Sequence, residues 1–278
     1  MDYKNVYKNY VGSFESFLKK YFDSLENVEP ALLNAMKYSL FSGGKRVRPL
    51  VMLAMYDLCG GTQKEIYNFA AAIEMIHTYS LIHDDLPCID GDTVRRGKPC
   101  NHIVYGEDTA LLAGDALLTL AFDIVSNVDL NSLPVIDANR ILKCINILSS
   151  FAGCRGMISG QSLDLKWNDD LKSKDKLLKI YELKTGKLIA ASAKIGAILG
   201  GAPERKISLA EEFGKNIGIS FQIVDDIIDN ELDNLSLLKD AEEFVRTLTI
   251  SAKEKLTSIS GSSWFLTEFT DNLAQRKK

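Results

Sequence analysis

Two acidic clusters, far apart along the chain, hold the residues best suited to chemistry. The first is His83-Asp84-Asp85-Leu86-Pro87-Cys88-Ile89-Asp90, followed by Gly91-Asp92-Thr93-Val94-Arg95-Arg96-Gly97. The second is Phe221-Gln222-Ile223-Val224-Asp225-Asp226-Ile227-Ile228-Asp229. Each puts an Asp pair and a further Asp at the end of an apolar run that reads as a helix. At about 100° per residue, Gln222, Asp225, Asp226 and Asp229 fall within roughly one quadrant of the helix surface. Their neighbours Ile223, Val224, Ile227 and Ile228 are apolar and should be buried. Carboxylates crowded at the edge of a core repel one another and lose hydration. A bound cation removes both costs, and all-oxygen ligands suit Mg²⁺, which completes its shell with water and phosphate oxygens. A solvated helix end would account for one such cluster. Two, one with an Arg pair directly after it, read as a metal and polyanion site.

Basic and polar segments extend the pattern. Ser42-Gly43-Gly44-Lys45-Arg46-Val47-Arg48-Pro49 sets three cations beside two glycines whose backbone amides are open. Arg gives planar bidentate recognition and Lys a point charge, which suits phosphate, although a solvated basic turn would look the same. His77 lies two helical turns before Asp84 and shares its face; a lone His there is also compatible with the core. His83 reads as a helix-end structural residue. Arg95 and Arg96 stand close enough to the first cluster to hold a phosphate that its metals also bind. Gly160-Gln161-Ser162-Leu163-Asp164-Leu165 ends another apolar run, and Lys184-Thr185-Gly186-Lys187 interrupts a helical one. Together these describe two Mg²⁺-binding walls, basic residues at a rim and an apolar interior: a pocket for a diphosphate attached to a hydrocarbon.

The elements that must position these groups are helical almost throughout. Tyr10-Phe14-Leu18 and Leu32-Met36-Leu40 repeat at helical spacing, and apolar runs cover Leu50 to Leu58, Phe69 to His83, Leu111 to Val125, Ile141 to Phe151, Leu177 to Leu199 and Leu209 to Ile228. The six prolines fall near the ends of these runs, where helices start or stop. No alternating strand is evident, and no hairpin signal beyond Asp90-Gly91. The expectation is all-α: one domain over 1–278, a helical bundle around a deep central cavity. A net charge of −4 offers no global attraction to nucleic acid, so a polyanion site must be local. Five Cys without a CxxC pair suggest buried thiols in a reducing compartment. The polar amino terminus lacks a signal-peptide core, and Leu188 to Ala202, the longest apolar stretch, is broken by Lys194 and several Gly. A cytoplasmic protein with no stable membrane association is expected.

In this order the motifs GGKRVRP, HTYSLIHDDLPCID, RRGKP, LAGDALL, GQSLDL, KTG and FQIVDDIID resemble those of trans-type isoprenyl diphosphate synthases, the short-chain farnesyl and geranylgeranyl kind. The resemblance implies an isoprenoid-synthase fold, usually a homodimer, and Mg²⁺-dependent head-to-tail condensation of isopentenyl diphosphate with an allylic diphosphate such as dimethylallyl or geranyl diphosphate. It implies that Asp84, Asp90 and Asp225, aided by Asp85, Asp226 and Asp229, hold Mg²⁺ against the allylic diphosphate. Arg95 and Lys184 then face the departing diphosphate, while Thr185 and Gln222 border the allylic cation. Gly44, Lys45, Arg48, His77 and Arg96 resemble the isopentenyl diphosphate site. Tyr79, five residues before Asp84, resembles the aromatic residue that limits product length in bacterial-type farnesyl synthases, although an ideal helical wheel favours Ser80 as the residue on the face of Asp84. A mainly C15 product is expected.

The chain departs from the pattern in two places. Gly91 stands where Asn or Asp is common, with little consequence since Asp90 and Asp92 remain. After Asp229 such proteins continue through a loop of the type GKxxGxDxxxxKxTY; here Asn230-Glu231-Leu232-Asp233 runs almost directly into Leu235-Ser236-Leu237-Leu238. Either the protein lacks that loop or the sequence omits it; the intact remaining motifs favour omission. Rival readings are a geranylgeranyl diphosphate synthase, a terpene cyclase, which would not need the Lys45/Arg48 site, a noncatalytic partner subunit, and an HD-type phosphohydrolase, which would need a further well-spaced His.

Overall fold

Local chemistry sets where the helices begin. In the computed structural model α1 spans Tyr3–Asp23, its amide at Lys4 capped by the Asp2 carboxylate, and α2 spans Pro30–Leu40. Pro30 opens α2 at a position with no amide partner to lose, and Glu29 accepts from the Leu32 amide. Next come α3 (Val47–Leu58), α4 (Ile66–Asp84), α5 (Asn101–Tyr105), α6 (Glu107–Ser126), α7 (Val135–Ala152) and α8 (Met157–Asp164). The series closes with α9 (Lys174–Tyr181), α10 (Lys187–Leu199), α11 (Glu204–Asp229), α12 (Ala241–Ile259) and α13 (Trp264–Ala274). The structure describes residues 2–62, 64–127, 135–166, 173–231, 236 and 240–276, without the side chains of 135–137. The stretch where the sequence departs from the loop pattern after Asp229 includes 232–235 and 237–239, which lie outside the described residues.

The all-α expectation holds, and α4 is its central rod. Twelve of its residues are buried, among them Phe69, Ile73, Met75 and Ile76. It packs against α3 and α6, while α10 packs against α3, α7 and α11, and α12 covers α11. Burying a large apolar side chain stabilises by about 1.5–3 kcal/mol, so this one core, with Phe14, Phe22 and Phe213 fully enclosed, dominates the stability. A smaller core of Leu177, Tyr181, Ile219, Ile223, Val224 and Val245 braces the carboxyl-terminal half of α11.

Three expectations need correction. A short antiparallel hairpin exists, β1 (Val94–Arg95) paired with β2 (Lys98–Pro99). Its two-residue turn puts Arg96 at φ +52° and Gly97 at φ +74°, the left-handed pair that a tight hairpin turn demands. The run Leu177 to Leu199 is not one helix: a π-helical turn, Glu182–Gly186, separates α9 from α10. The five thiols are free, but only Cys100 and Cys144 are buried; Cys88 and Cys154 sit exposed in turns outside the helices. Two stretches, 107–126 and 138–164, are long and apolar enough to cross a membrane by length and composition alone, with 39% of the 18-residue apolar window in each buried inside the fold.

Candidate functional site

The loop that carries Lys45 and Arg48 is fixed from beneath by Arg46. That residue adopts φ +48° and turns inward, donating to Glu15 at 2.6 Å, to Glu74 at 2.7 Å and to the Leu40 carbonyl at 2.8 Å. Of the three cations read as phosphate ligands, Arg46 is therefore held by protein carboxylates. Its neighbours Gly44, Lys45 and Arg48 line a cavity of about 1100 Å³. Gly44 sits at φ +135° with Arg96 against it, so that a Cβ there would stand 2.9 Å from a guanidinium nitrogen. Arg96 in turn donates to the Gly43 carbonyl. The hairpin thus ties the second basic segment onto the first.

The cavity gathers residues from seven segments of the chain. Asp84 and Asp225 face it from α4 and α11, and His77, Tyr79, Ser80, Arg95, Arg96, Lys184, Thr185 and Gln222 line it as well. Burial and the nearby Arg48 and Arg96 hold His77 well below the ordinary imidazole range, so it is neutral. Burial also pushes Arg48 down to about 10, and its Nε has no hydrogen-bond partner among the described residues. Ser80 donates to the His77 carbonyl at 2.9 Å. Tyr79 is buried, stands edge-on to His83 at 5.6 Å and leaves its hydroxyl without a partner among the described residues. His83 keeps its helix-end role, its Nε2 lying 3.0 Å from the Leu111 carbonyl on α6.

A turn explains how Asp90 returns to Asp84. The six-residue step is too long for one helix face, but the Asp90 amide donates to the Asp84 carbonyl at 2.9 Å and the Gly91 amide to Leu86 at 3.1 Å. Asp85 faces the other way: it is buried, lines a separate small cavity and accepts from Arg95 at 2.6 Å. Asp92 also contacts Arg95, at 3.2 Å.

On the opposite wall the π-helical turn meets α11. Thr185 donates to the Gln222 amide oxygen at 2.8 Å, Gln222 donates to Asp226 at 3.0 Å, and the Tyr181 hydroxyl donates to Asp226 as well. Asp225, Asp226 and Asp229 line an acidic side cavity of about 320 Å³ with Gln222, Asp164 and Glu231, in keeping with the expected shared face. Lys184 and Thr185 open onto both cavities.

Four contributors carry no individual role in the sequence reading, which includes Gln161 and Asp164 only within GQSLDL and Phe221 only within FQIVDDIID, and passes over Arg276. Asp164 pairs with Lys184; Gln161 lines the cavity with both amide atoms buried and unpartnered among the described residues. Phe221 forms a wall 6.0 Å beneath the Lys45 ammonium. Arg276, beyond α13, reaches Asp225 at 2.6 Å. The first two lie in GQSLDL and could have been singled out there; Arg276 sits in a basic tail that reads as solvated.

The donor chemistry fits an oxygen-ligated divalent ion. The Asp84 side chain forms no hydrogen bond or ion pair among the described residues. Its acid is pushed up to about 6 by burial first, with Asp90 and Asp85 repelling it and Lys184 and Arg95 opposing the rise. Burial likewise raises Asp225 against the pull of Arg276. Asp84 is thus a carboxylate without a paired cation in a partly enclosed space, whereas Asp225 already has Arg276 beside it. Among the described residues no three acidic, His or Cys groups are preassembled around one point; the six Asp divide between two walls and the hairpin side.

A helical bundle with acidic walls, a basic rim and an apolar interior defines an enzyme class that handles hydrocarbon diphosphates. The polyprenyl synthetase pattern matches residues 29–251. Farnesyl diphosphate synthase of Bacillus subtilis is 44% identical over 219 residues, 79% of this chain and 73% of that protein. The chloroplastic geranylgeranyl pyrophosphate synthase of Capsicum annuum is 43% identical over 221 residues, and the match spans 57% of its length. A crystal structure of geranyltransferase from Legionella pneumophila superposes with a TM-score of 0.90 at 34% identity, covering 99% of this chain and 97% of that one. The chain belongs to the polyprenyl synthetase family. It is a prenyltransferase of the chain-elongating kind, with the family's all-α fold.

Proposed function

We propose that the chain condenses isopentenyl diphosphate head-to-tail with dimethylallyl and geranyl diphosphate, in a Mg²⁺-dependent reaction giving mainly farnesyl diphosphate. The observation that carries this reading is the single cavity that Asp84 and Asp225 share with Lys45, Arg48, Arg96 and an apolar lining. Asp84, Asp90 and Asp225 would hold Mg²⁺, with Asp85, Asp226 and Asp229 in support. When bound, the ion supplies Lewis-acid stabilisation of a leaving diphosphate.

The protein's own groups do the rest. Lys184 and Arg95 add fixed positive charge beside the allylic diphosphate. Its C–O bond breaks inside a cavity whose apolar lining excludes water. The Thr185 hydroxyl and the Gln222 carboxamide border the resulting allylic cation. Gly44, Lys45, Arg48, neutral His77 and Arg96 hold isopentenyl diphosphate so that its double bond faces that cation. The new C–C bond forms, and a proton leaves to the released diphosphate. Tyr79, with Ser80 beside it, is placed to stop the growing tail. Identity to geranylgeranyl synthases supports a second reading, with C20 as the main product.

We further propose a cytoplasmic homodimer that binds neither nucleic acid nor membrane stably. Exposed apolar side chains support the dimer: Leu111 and Leu112 on α6, Leu142 on α7 and Ile158 on α8 are all solvent-facing. One assay tests the reading: labelled isopentenyl diphosphate, dimethylallyl or geranyl diphosphate and Mg²⁺, with products identified. Farnesyl diphosphate and released pyrophosphate are expected. Mostly C20 chains would select the geranylgeranyl reading, cyclic hydrocarbons a cyclase, and no turnover a noncatalytic subunit.

A further inference from the structure

Arg276 is bound more elaborately than a tail residue requires. Its Nη2 lies 2.6 Å from Asp225 Oδ1 and donates to the Phe221 carbonyl at 2.6 Å, while Nη1 donates to Leu273 at 3.1 Å. The guanidinium carbon stacks 3.7 Å over the Phe221 ring, and the side chain is only 7% exposed. Its Nε is buried with no hydrogen-bond partner among the described residues. Arg276 is buried while Asp225 is 36% exposed, so a solute ion can reach the carboxylate. An ion pair with one donor left unmet gives little net stability; the arrangement suits exchange better than anchoring.

We propose that Arg276 is an internal counter-ion for Asp225, one that a divalent cation displaces and that then pairs with the diphosphate. The inference rests on the proposed metal role of Asp225. A guanidinium and a divalent ion cannot both sit against one carboxylate oxygen, because their like charges repel at short range in a medium of low permittivity. Once displaced, the planar guanidinium fork matches phosphate oxygens. Arg276 lines a smaller neighbouring cavity with Lys45. Both cations lie over the Phe221 ring, which with Lys45 also lines the main cavity, so a short movement of the guanidinium would bring it to a diphosphate held by Lys45. Docking of the chain end is thereby coupled to ligand state: it caps an acidic wall when the site is empty and completes an anion site when it is full.

The signature is a pair of effects of opposite sign. In Arg276→Met, Mn²⁺ without any diphosphate, counted by the paramagnetic resonance of the free ion, should bind about tenfold more tightly than in wild type. Inorganic pyrophosphate in the presence of Mg²⁺, followed by calorimetry, should bind about tenfold more weakly. Arg276→Lys, which keeps the charge without the fork, should restore wild-type Mn²⁺ binding but not pyrophosphate binding. In an Asp225→Asn background the gain in Mn²⁺ affinity should vanish. Unchanged or weaker Mn²⁺ binding in Arg276→Met, or a gain that persists without Asp225, overturns the proposal. A wild-type protein that makes prenyl diphosphates with either result loses only this inference. One that binds no divalent ion even with pyrophosphate loses the metal reading too.

Discussion

At the scale of single residues, the ligand-free site stores unfavourable charge. Asp84 titrates near 6 when folded, against an ordinary value of 3.8, so the folded state holds its proton more tightly than the unfolded one. Stability from this group is therefore full below about pH 4 and is lost as pH rises through about 6. Asp84→Asn should make the metal-free protein more stable than wild type above pH 6, by about 1–2 kcal/mol, or a melting temperature higher by about 2–8 °C. The difference should close near pH 4. The same variant should lose on the order of 10²–10³-fold in turnover. Melting curves that stay parallel from pH 4 to 7.5 would refute the stored-charge account. Tyr79→Ala should shift the product from C15 toward C20 and longer, read by chromatography of the dephosphorylated chains; an unchanged distribution would return Tyr79 to the core. Asp84 and Asp225 were legible in the sequence because charge at the edge of an apolar helix is costly and needs a reason. Arg276 was not: its partner Phe221 lies 55 residues away in sequence, and no local pattern encodes such a contact.

At the scale of elements, helices were legible but the form of their interruptions was not: Lys184-Thr185-Gly186-Lys187 marks a break in a helical run, without revealing that the break is π-helical. A π-helical turn adds one residue to a turn but leaves apolar residues recurring on both sides, so by apolar period Leu177 to Leu199 still looks like one helix. The hairpin strands are two residues each, too short for alternation to register; their signal is the Arg96-Gly97 pair. Gly160 shows what the interruption is for. A Cβ there would stand 2.6 Å from Lys184 Cα, so only glycine lets α8 lie against the turn and bring Asp164 to Lys184. Gly160→Ala should push the two apart, costing about 1–3 kcal/mol through overpacking and lowering kcat while the helical circular dichroism stays intact. Wild-type kcat together with wild-type melting would show that α8 can move freely.

At the scale of the molecule, the cavity draws on residues from Ser42 to Asp225, and Arg276 meets it indirectly, through its pair with Asp225. The sequence indicated that these segments belong together by their shared chemistry, but not which wall each occupies; Asp85, read with the metal ligands, faces Arg95 and a separate cavity. The exposed Leu111 and Leu112 of α6 support the proposed dimer. Leu112→Glu should convert the particle from about twice the 30.8 kDa chain mass to a monomer, by light scattering; a monomeric wild type would dismiss the homodimer. One feature of α4 reaches beyond assembly. Asp84, which meets the reacting end of the substrate in the proposed site, and Tyr79, which meets the far end, stand on one unbroken helix about 7.5 Å apart along its axis. Both jaws of this caliper are cut from the same bar. Any rigid shift of α4 carries the two together, so product length keeps its calibration through motions that alter the rate.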